Sequence, residues 1–404
     1  MIQLERIMKE ATSPMYSVDV GLLHTNTVKV DFNSELLHKC TRLRYLHISG
    51  DDSKSDTLKS RSAQPGCYIN ESQSWLLLYC APLEQIHDVI NHCGDSLELV
   101  DIRFTSVDEI DLSHLTGLLR LRAEHNKSLV QITGLKCLKS LQVLEIRGST
   151  FLTELDLNNY DNLSKVDIFD TNIQEIILDH NLLKMSVFWA SGARIINTEF
   201  VSFFPNIQNI NLGHNPVQSL PDFSVFSNLT YLGLSGLPVK SLGATKFPGS
   251  LRGLWLTGSD LDYIPESIRS IEKLEILDLS KLKLSAFPEW LLDLELDFVE
   301  NTFQNGICLT DTTAKGVDMS IFSQPREMIT QWFDERKKGN EVLLNEIKVV
   351  FLGNGEVGKS HTIARLLNEG AQPGKSFSGS STPGIAIENK EEVKEWKEKN
   401  FYKV

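Results

Sequence analysis

No two cysteines of this chain stand in a C-x-x-C arrangement, and the six present (Cys40, Cys67, Cys80, Cys93, Cys137 and Cys308) are scattered. Neither a zinc site of common spacing nor a dense disulfide framework is suggested, and buried reduced thiols are expected. Long apolar runs are missing too. The opening residues MIQLERIMKE lack the continuous apolar core of a secretory signal, and no segment approaches membrane-spanning length. The expected location is therefore the cytoplasm, with no membrane partner. Basic charge is short as well: 40 Lys+Arg face 53 Asp+Glu, a net charge of −13. Nucleic acid and anionic membrane both call for a basic face, so neither is expected as the main partner. Residues 325–404 are nearly balanced in charge, which puts the acidic excess on the N-terminal part.

What the chain has instead is leucine at fixed intervals. The pattern L-x-x-L-x-L appears at Leu43/Leu46/Ile48, Leu97/Val100/Ile102, Leu118/Leu121/Ala123, Leu141/Leu144/Ile146, Leu163/Val166/Ile168, Ile207/Ile210/Leu212, Leu229/Leu232/Leu234, Leu251/Leu254/Leu256 and Leu274/Leu277/Leu279. From Leu118 onward the starts fall 22 or 23 residues apart, with one double interval that encloses a degenerate unit read at Leu182/Met185/Val187. This is the leucine-rich repeat, in which each unit gives one short strand to a parallel sheet lining a horseshoe. The ninth position calls for a side chain that bonds backbone inside the turn. Asn126, Ser149, Thr171, Asn215 and Ser259 fit, whereas Leu237 and Leu282 do not.

The repeats set the domain plan. Leu4, Ile7, Met8 and Ala11 at helical spacing predict a capping helix over residues 1–20, and the solenoid is expected over residues 21–300. A polar stretch after Gly50 reads as an insertion loop. Residues 301–345 are expected to close the solenoid and to include a helix from Pro325, with Met328/Trp332 and Ile329/Phe333 as its apolar stripe. Residues between the pattern leucines should face the concave side and solvent. They include Arg120, Arg122, Glu145, Lys165, Asp167, Asn209, Asn211 and Asp278, with Phe188, Tyr231 and Trp255 as aromatic candidates for anchoring a protein partner.

Residues 346–404 carry a different signal. Gly353, Asn354, Gly355, Glu356, Val357, Gly358, Lys359 and Ser360 match G-x-x-x-x-G-K-[ST], followed by His361. In that loop backbone N–H groups wrap phosphates, the lysine reaches the β/γ-phosphates and the hydroxyl ligates Mg²⁺. A strand-like run (Ile347 to Leu352) precedes it and a helix-like run (Thr362 to Leu367) follows, the context a phosphate-binding loop requires. Glu356 places a carboxylate in the loop, so its side chain is expected to face solvent.

A leucine-rich solenoid leading through a short helix into Lys348-Val-Val-Phe-Leu-Gly-Asn-Gly-Glu-Val-Gly-Lys-Ser360 resembles the Roco family. Members of that family carry a Ras-like Roc GTPase domain after such repeats and a dimerising domain after that. NOD-like and other STAND ATPases place the P-loop before the repeats. Ser381-Thr382-Pro383-Gly384 resembles the family's first switch, which implies that Thr382 joins Ser360 on Mg²⁺ and contacts the γ-phosphate. The resemblance thus implies Mg²⁺ with GTP or GDP as cofactor and an α/β fold, a horseshoe followed by the N-terminal part of a P-loop Ras-like domain. The family's Asp-x-x-Gly and Asn-Lys-x-Asp motifs are absent by Val404. The expectation is a truncated GTPase domain that is not an efficient catalyst, with a homodimer only if the missing downstream domain is present. The alternatives are an interaction scaffold with a remnant loop, or an ATP-binding P-loop protein.

Overall fold

The structure, a computed structural model, describes residues 27–30, 43–49, 66–70, 75–79 and 83–338, except residues 104, 106, 127, 241, 243, 244, 302 and 303. The predicted capping helix over 1–20 and the whole of residues 346–404 lie outside the described residues. The chain divides into two compact units, Met1–Asp334 and Glu335–Val404. Of the second, only residues 335–338 are described.

One sheet of 15 strands dominates the first unit. In chain order its strands are β1 (Thr27–Val30), β2 (Tyr45–Ser49), β3 (Gly66–Asn70), β4 (Trp75–Tyr79), β5 (Leu99–Asp101), β6 (Arg120–Arg122), β7 (Val143–Glu145), β8 (Lys165–Asp167), β9 (Val187–Trp189), β10 (Asn209–Asn211), β11 (Tyr231–Gly233), β12 (Gly253–Trp255), β13 (Ile276–Asp278), β14 (Phe298–Val299) and β15 (Gly306–Cys308). From β5 to β13 spatial order follows chain order, and every pairing is parallel. At the N-terminal end the order is β1-β3-β4-β2, with β3 antiparallel to both its neighbours. Part of the stretch read as an insertion loop is thus the strand β3. A helix, α1 (Leu83–His92), precedes β5.

The leucine spacing produces this architecture directly. The central residues Leu121, Leu144, Val166, Ile210, Leu232, Leu254 and Leu277 are each 0% exposed and stand in register on adjacent strands. Each turn stacks its apolar residues on the next, giving one continuous core from Leu43 to Phe333. Burying a leucine is worth roughly 1.5–3 kcal/mol, so a three-residue strand too short to persist alone is held by its neighbours.

Two residues beyond the third pattern position the backbone turns left-handed in every repeat from His125 on: His125, Gly148, Asp170, Gly192, His214, Gly236, Gly258, Lys281 and Asp311 all have φ between 52° and 71°. Glycine is needed where neighbours crowd. At Gly236 a Cβ would sit 2.2 Å from His214 Nδ1. The next residue is the predicted ladder. Asn126 Nδ2 donates to Ile102 O (2.7 Å), Ser149 Oγ to Ala123 O (2.7 Å), Thr171 Oγ1 to Ile168 O (2.8 Å), Ser259 Oγ to Leu234 O (2.8 Å), and Asn215 Nδ2 to Ala190, Leu212 and Gly213 carbonyls. Leu237 and Leu282 instead join the core.

The parallel sheet runs one turn further than the repeat pattern indicates. Ile307 pairs with Leu277 on β13, and Leu309 and Thr312 take the places held by Leu279 and Leu282 one turn earlier. Thr312 Oγ1 donates to Leu279 O. The longer interval, which includes β14, hides this turn from the leucine spacing. The helix α2 (Arg326–Lys337) then buries Ile329 and Phe333, while Met328 is 52% exposed. Phe333 packs on Phe287 (5.2 Å between centroids) and Phe322 (6.2 Å), and Phe298 meets Phe322 at 4.7 Å. Arg326 donates to the carbonyls of Leu292, Leu294 and Leu296. Ile329 and Phe333, in the first two turns of α2, therefore seal the open end of the solenoid, while Met328 of the predicted stripe faces outward.

Candidate functional site

The predicted phosphate and metal ligands (Gly353, Asn354, Gly355, Glu356, Val357, Gly358, Lys359, Ser360, His361 and Thr382) lie outside the described residues. Among the described residues no group of three or more His, Cys, Asp or Glu could hold a metal ion. No described helix is long and apolar enough to cross a membrane. Of the described thiols Cys93 and Cys308 are buried, but Cys137 is exposed. Among the described residues, the predicted partner face is the inner surface of the sheet.

On each three-residue strand the middle side chain enters the core, and the outer two stand on the concave face, as pleat alternation requires. This geometry moves one predicted anchor. Phe188 is a middle residue, paired between Val166 and Ile210, and is 0% exposed. Its ring packs against Phe200 (5.2 Å) and Phe204 (5.3 Å). The unit starts at Met185, giving Met185/Phe188/Ala190, and not at Leu182. Leu182 belongs to the preceding inward row, which also holds Leu138, Tyr160 and Phe204. Because that row sits three residues earlier, it mimics the repeat start. The same shift brings Trp189, which the sequence register missed, onto the concave face.

Trp255 is on the concave face but is 1% exposed and cannot serve as a freely exposed anchor. Its ring leans back over Gly253, where an added Cβ would lie 2.5 Å from Trp255 Cη2 and 2.9 Å from Tyr231 Cδ1. The missing side chain is what lets the indole lie flat. Tyr231 is half-buried, with its centroid 6.0 Å from that of Trp255, and it also packs on Val187 and Trp189. Tyr231 is thus the accessible member of an aromatic patch spanning β9 to β12. Within it the indole N–H groups of Trp189 and Trp255 and Asn209 Oδ1 are buried without hydrogen-bond partners.

The N-terminal half of the face is charged. Arg103 binds Asp101 through two bonds (2.9 and 2.8 Å), Arg122 Nε donates to Glu145 Oε2 (2.9 Å), Lys165 Nζ to Glu145 Oε1 (2.5 Å) and Arg147 Nη2 to Asp167 Oδ2 (2.7 Å). Lys165 also lies 4.4 Å from the Trp189 ring centroid, and Arg147 4.9 Å from that of Phe169. The sequence reading placed such residues in solvent. Glu145, Lys165, Asp167, Asn209 and Asp278 are in fact buried, because adjacent strands bring their side chains within bonding distance across the sheet. Buried ion pairs trade desolvation against attraction, so these bonds are weak evidence of net stability, while removing one partner would strand a buried charge. Glu124 stands apart: burial, together with repulsion from Glu145 and Asp167, pushes its carboxyl up to about 7 against the pull of Arg103 and Arg147. Further along, Ser280 Oγ and the Ser280 N–H donate to Asp278 Oδ1 (2.6 and 2.9 Å), and Thr257 donates to Asp278 Oδ2.

No family model matches the chain. It is 29% identical over 143 residues to Receptor-like protein 7 of Arabidopsis thaliana, covering 34% of this chain and 14% of that protein. It is 26% identical over 210 residues to human Toll-like receptor 8 (49% and 19% covered). To a Roc-COR-CHAT protease of an unknown prokaryotic organism it is 25% identical over 283 residues (69% and 24% covered). The chain thus spans under a quarter of the length of these relatives. Solved structures similar to it include the functional domain of InlJ from Listeria monocytogenes, with a TM-score of 0.44 and 19% identity (56% and 47% covered). The leucine-rich-repeat domain of APL1B aligns with a TM-score of 0.43 and 14% identity (58% and 65% covered). The repeat spacing and the parallel solenoid it builds make the chain a leucine-rich-repeat protein.

Proposed function

We propose that this chain is the recognition arm of a Roco-type, guanine-nucleotide-regulated cytoplasmic protein. The concave face of β5 to β13 docks a protein partner, and residues 353–360 hold GTP or GDP. The observation that carries this reading is the order of parts: a solenoid sealed by α2, then G-x-x-x-x-G-K-S. The 25% identity over 283 residues to a protein named as a Roc-COR-CHAT protease is consistent with a Roco-type reading of the whole protein. In this reading Lys359 and the loop N–H groups bind the phosphates, and Ser360 and Thr382 supply hydroxyls to Mg²⁺.

Calorimetric titration of the 404-residue chain with Mg²⁺-GTP, Mg²⁺-GDP and Mg²⁺-ATP tests the nucleotide half. Saturable guanine-nucleotide binding that Lys359→Ala weakens at least a hundredfold, about 2.7 kcal/mol, is the expected result. Absence of binding would leave a leucine-rich-repeat scaffold with a remnant loop, and preference for ATP would place the loop in another P-loop class.

A further inference from the structure

The two halves of the concave face ask for different things from one ligand. Over β9 to β12, Trp189, Trp255 and Asn209 hold buried polar atoms with no partner. Each such atom carries a desolvation cost that a suitable acceptor or donor recovers. Trp189 and Trp255 occupy the same column, three strand spacings apart, or about 14 Å. An extended peptide repeats the groups on one side every second residue, so four residues span about 13–14 Å and match. A polyproline helix returns to the same side every ~9 Å and does not.

Over β5 to β8 the cations Arg103, Arg120, Arg122, Arg147 and Lys165 outnumber the carboxylates Asp101, Glu124, Glu145 and Asp167, on a chain whose net charge is −13. A local cationic surplus on an acidic molecule attracts acidic ligands and repels basic ones.

We propose that the concave face seats an extended segment of a protein partner, acidic where it crosses β6 to β8 and presenting backbone carbonyls to the Trp189 and Trp255 indoles over β9 to β12. This rests on the docking role proposed above. Reaching those indoles requires the half-exposed ring of Tyr231, packed against the Val187/Trp189 cluster and 6.0 Å from Trp255, to turn aside.

The probes are two fluorescein-labelled decapeptides, each an Asp-Glu-Asp-Glu block joined to Val-Thr-Val-Ser-Val-Thr, with the acidic block at one end or the other, and their lysine-block counterparts. Fluorescence polarisation with the full chain is expected to show one acidic peptide binding at least tenfold tighter than its lysine counterpart. Replacing Trp189 and Trp255 by benzothienylalanine keeps both bicyclic rings, removes only the indole donors and should weaken that peptide about tenfold without lowering Tm. Equal binding of acidic and lysine peptides, or no effect of the double variant, overturns the proposal, as does failure of all four peptides to bind at millimolar concentration. A photo-crosslinking benzoylphenylalanine at Tyr231 separates the two levels: if it captures no protein in cells, the docking role itself falls.

Discussion

At the residue scale the most informative side chain is Glu124. Arg103, Arg122, Arg147 and Lys165 are all engaged with Asp101, Glu145 or Asp167, and Glu124 is the carboxylate whose proton affinity is raised, to about 7, chiefly by burial. The folded chain then holds a proton there that the unfolded chain releases near its ordinary value of 4.5. Between those limits the folded state binds more protons, so stability is greatest at the acidic end of the window and falls as pH rises through about 7. The size is about 1–3 kcal/mol once partial solvent access is discounted. Urea denaturation at pH 5.5 and pH 8 should show this decline in the wild-type chain, superimposed on other titrations, and Glu124→Gln should remove that part of the slope. A slope unchanged in the variant would refute the assignment.

At the element scale the solenoid depends on its ends as much as on its repeats. Arg326 satisfies three carbonyls of the turn Leu292 to Leu296, the place where the 3₁₀ segment Glu289–Asp293 gives way to β14. Arg326→Ala leaves those carbonyls to water and loosens the Phe287/Phe322/Phe333 stack, at a cost of about 2–3 kcal/mol. Hydrogen exchange should report the loss locally, with amides from 287 to 322 losing protection before those of β6 to β9. How far such elements are legible in sequence depends on whether one geometric repeat speaks alone. Leu141/Leu144/Ile146 or Leu229/Leu232/Leu234 can be read without structure, because one turn of the coil needs its three inward residues at that spacing. Met185/Phe188/Ala190 cannot, because Leu182 from the neighbouring inward row imitates the start and shifts Phe188 to the wrong face. At the site, the columns of Tyr231 and Trp255 follow from spacing. The burial of Trp255 depends on the absent side chain at Gly253, two residues away on the same strand, and so belongs to packing rather than to pattern.

At the scale of the whole molecule, the solenoid is close to one-dimensional: from β5 to β13 each strand pairs only with the turn before and the turn after. Stability is then a sum of weak units and strong nearest-neighbour interfaces. A cavity in one turn is felt mostly by the adjoining turns and fades with distance. Leu254, 0% exposed and paired with Leu232 and Leu277, is the place to test this. Leu254→Ala should cost about 2–5 kcal/mol. If the sheet is quasi-one-dimensional, the loss of amide protection will be greatest in β11, β12 and β13 and will decline stepwise toward β6. A uniform loss from β5 to β15 would instead mean that the solenoid unfolds as one unit, and the concave face would then present its charged and aromatic halves only together. The distinction bears on recognition. Under the graded outcome, a partner segment that seats first on the charged turns β6 to β8 finds them ordered even while β12 is open, so docking can proceed from the charged half toward Trp189 and Trp255.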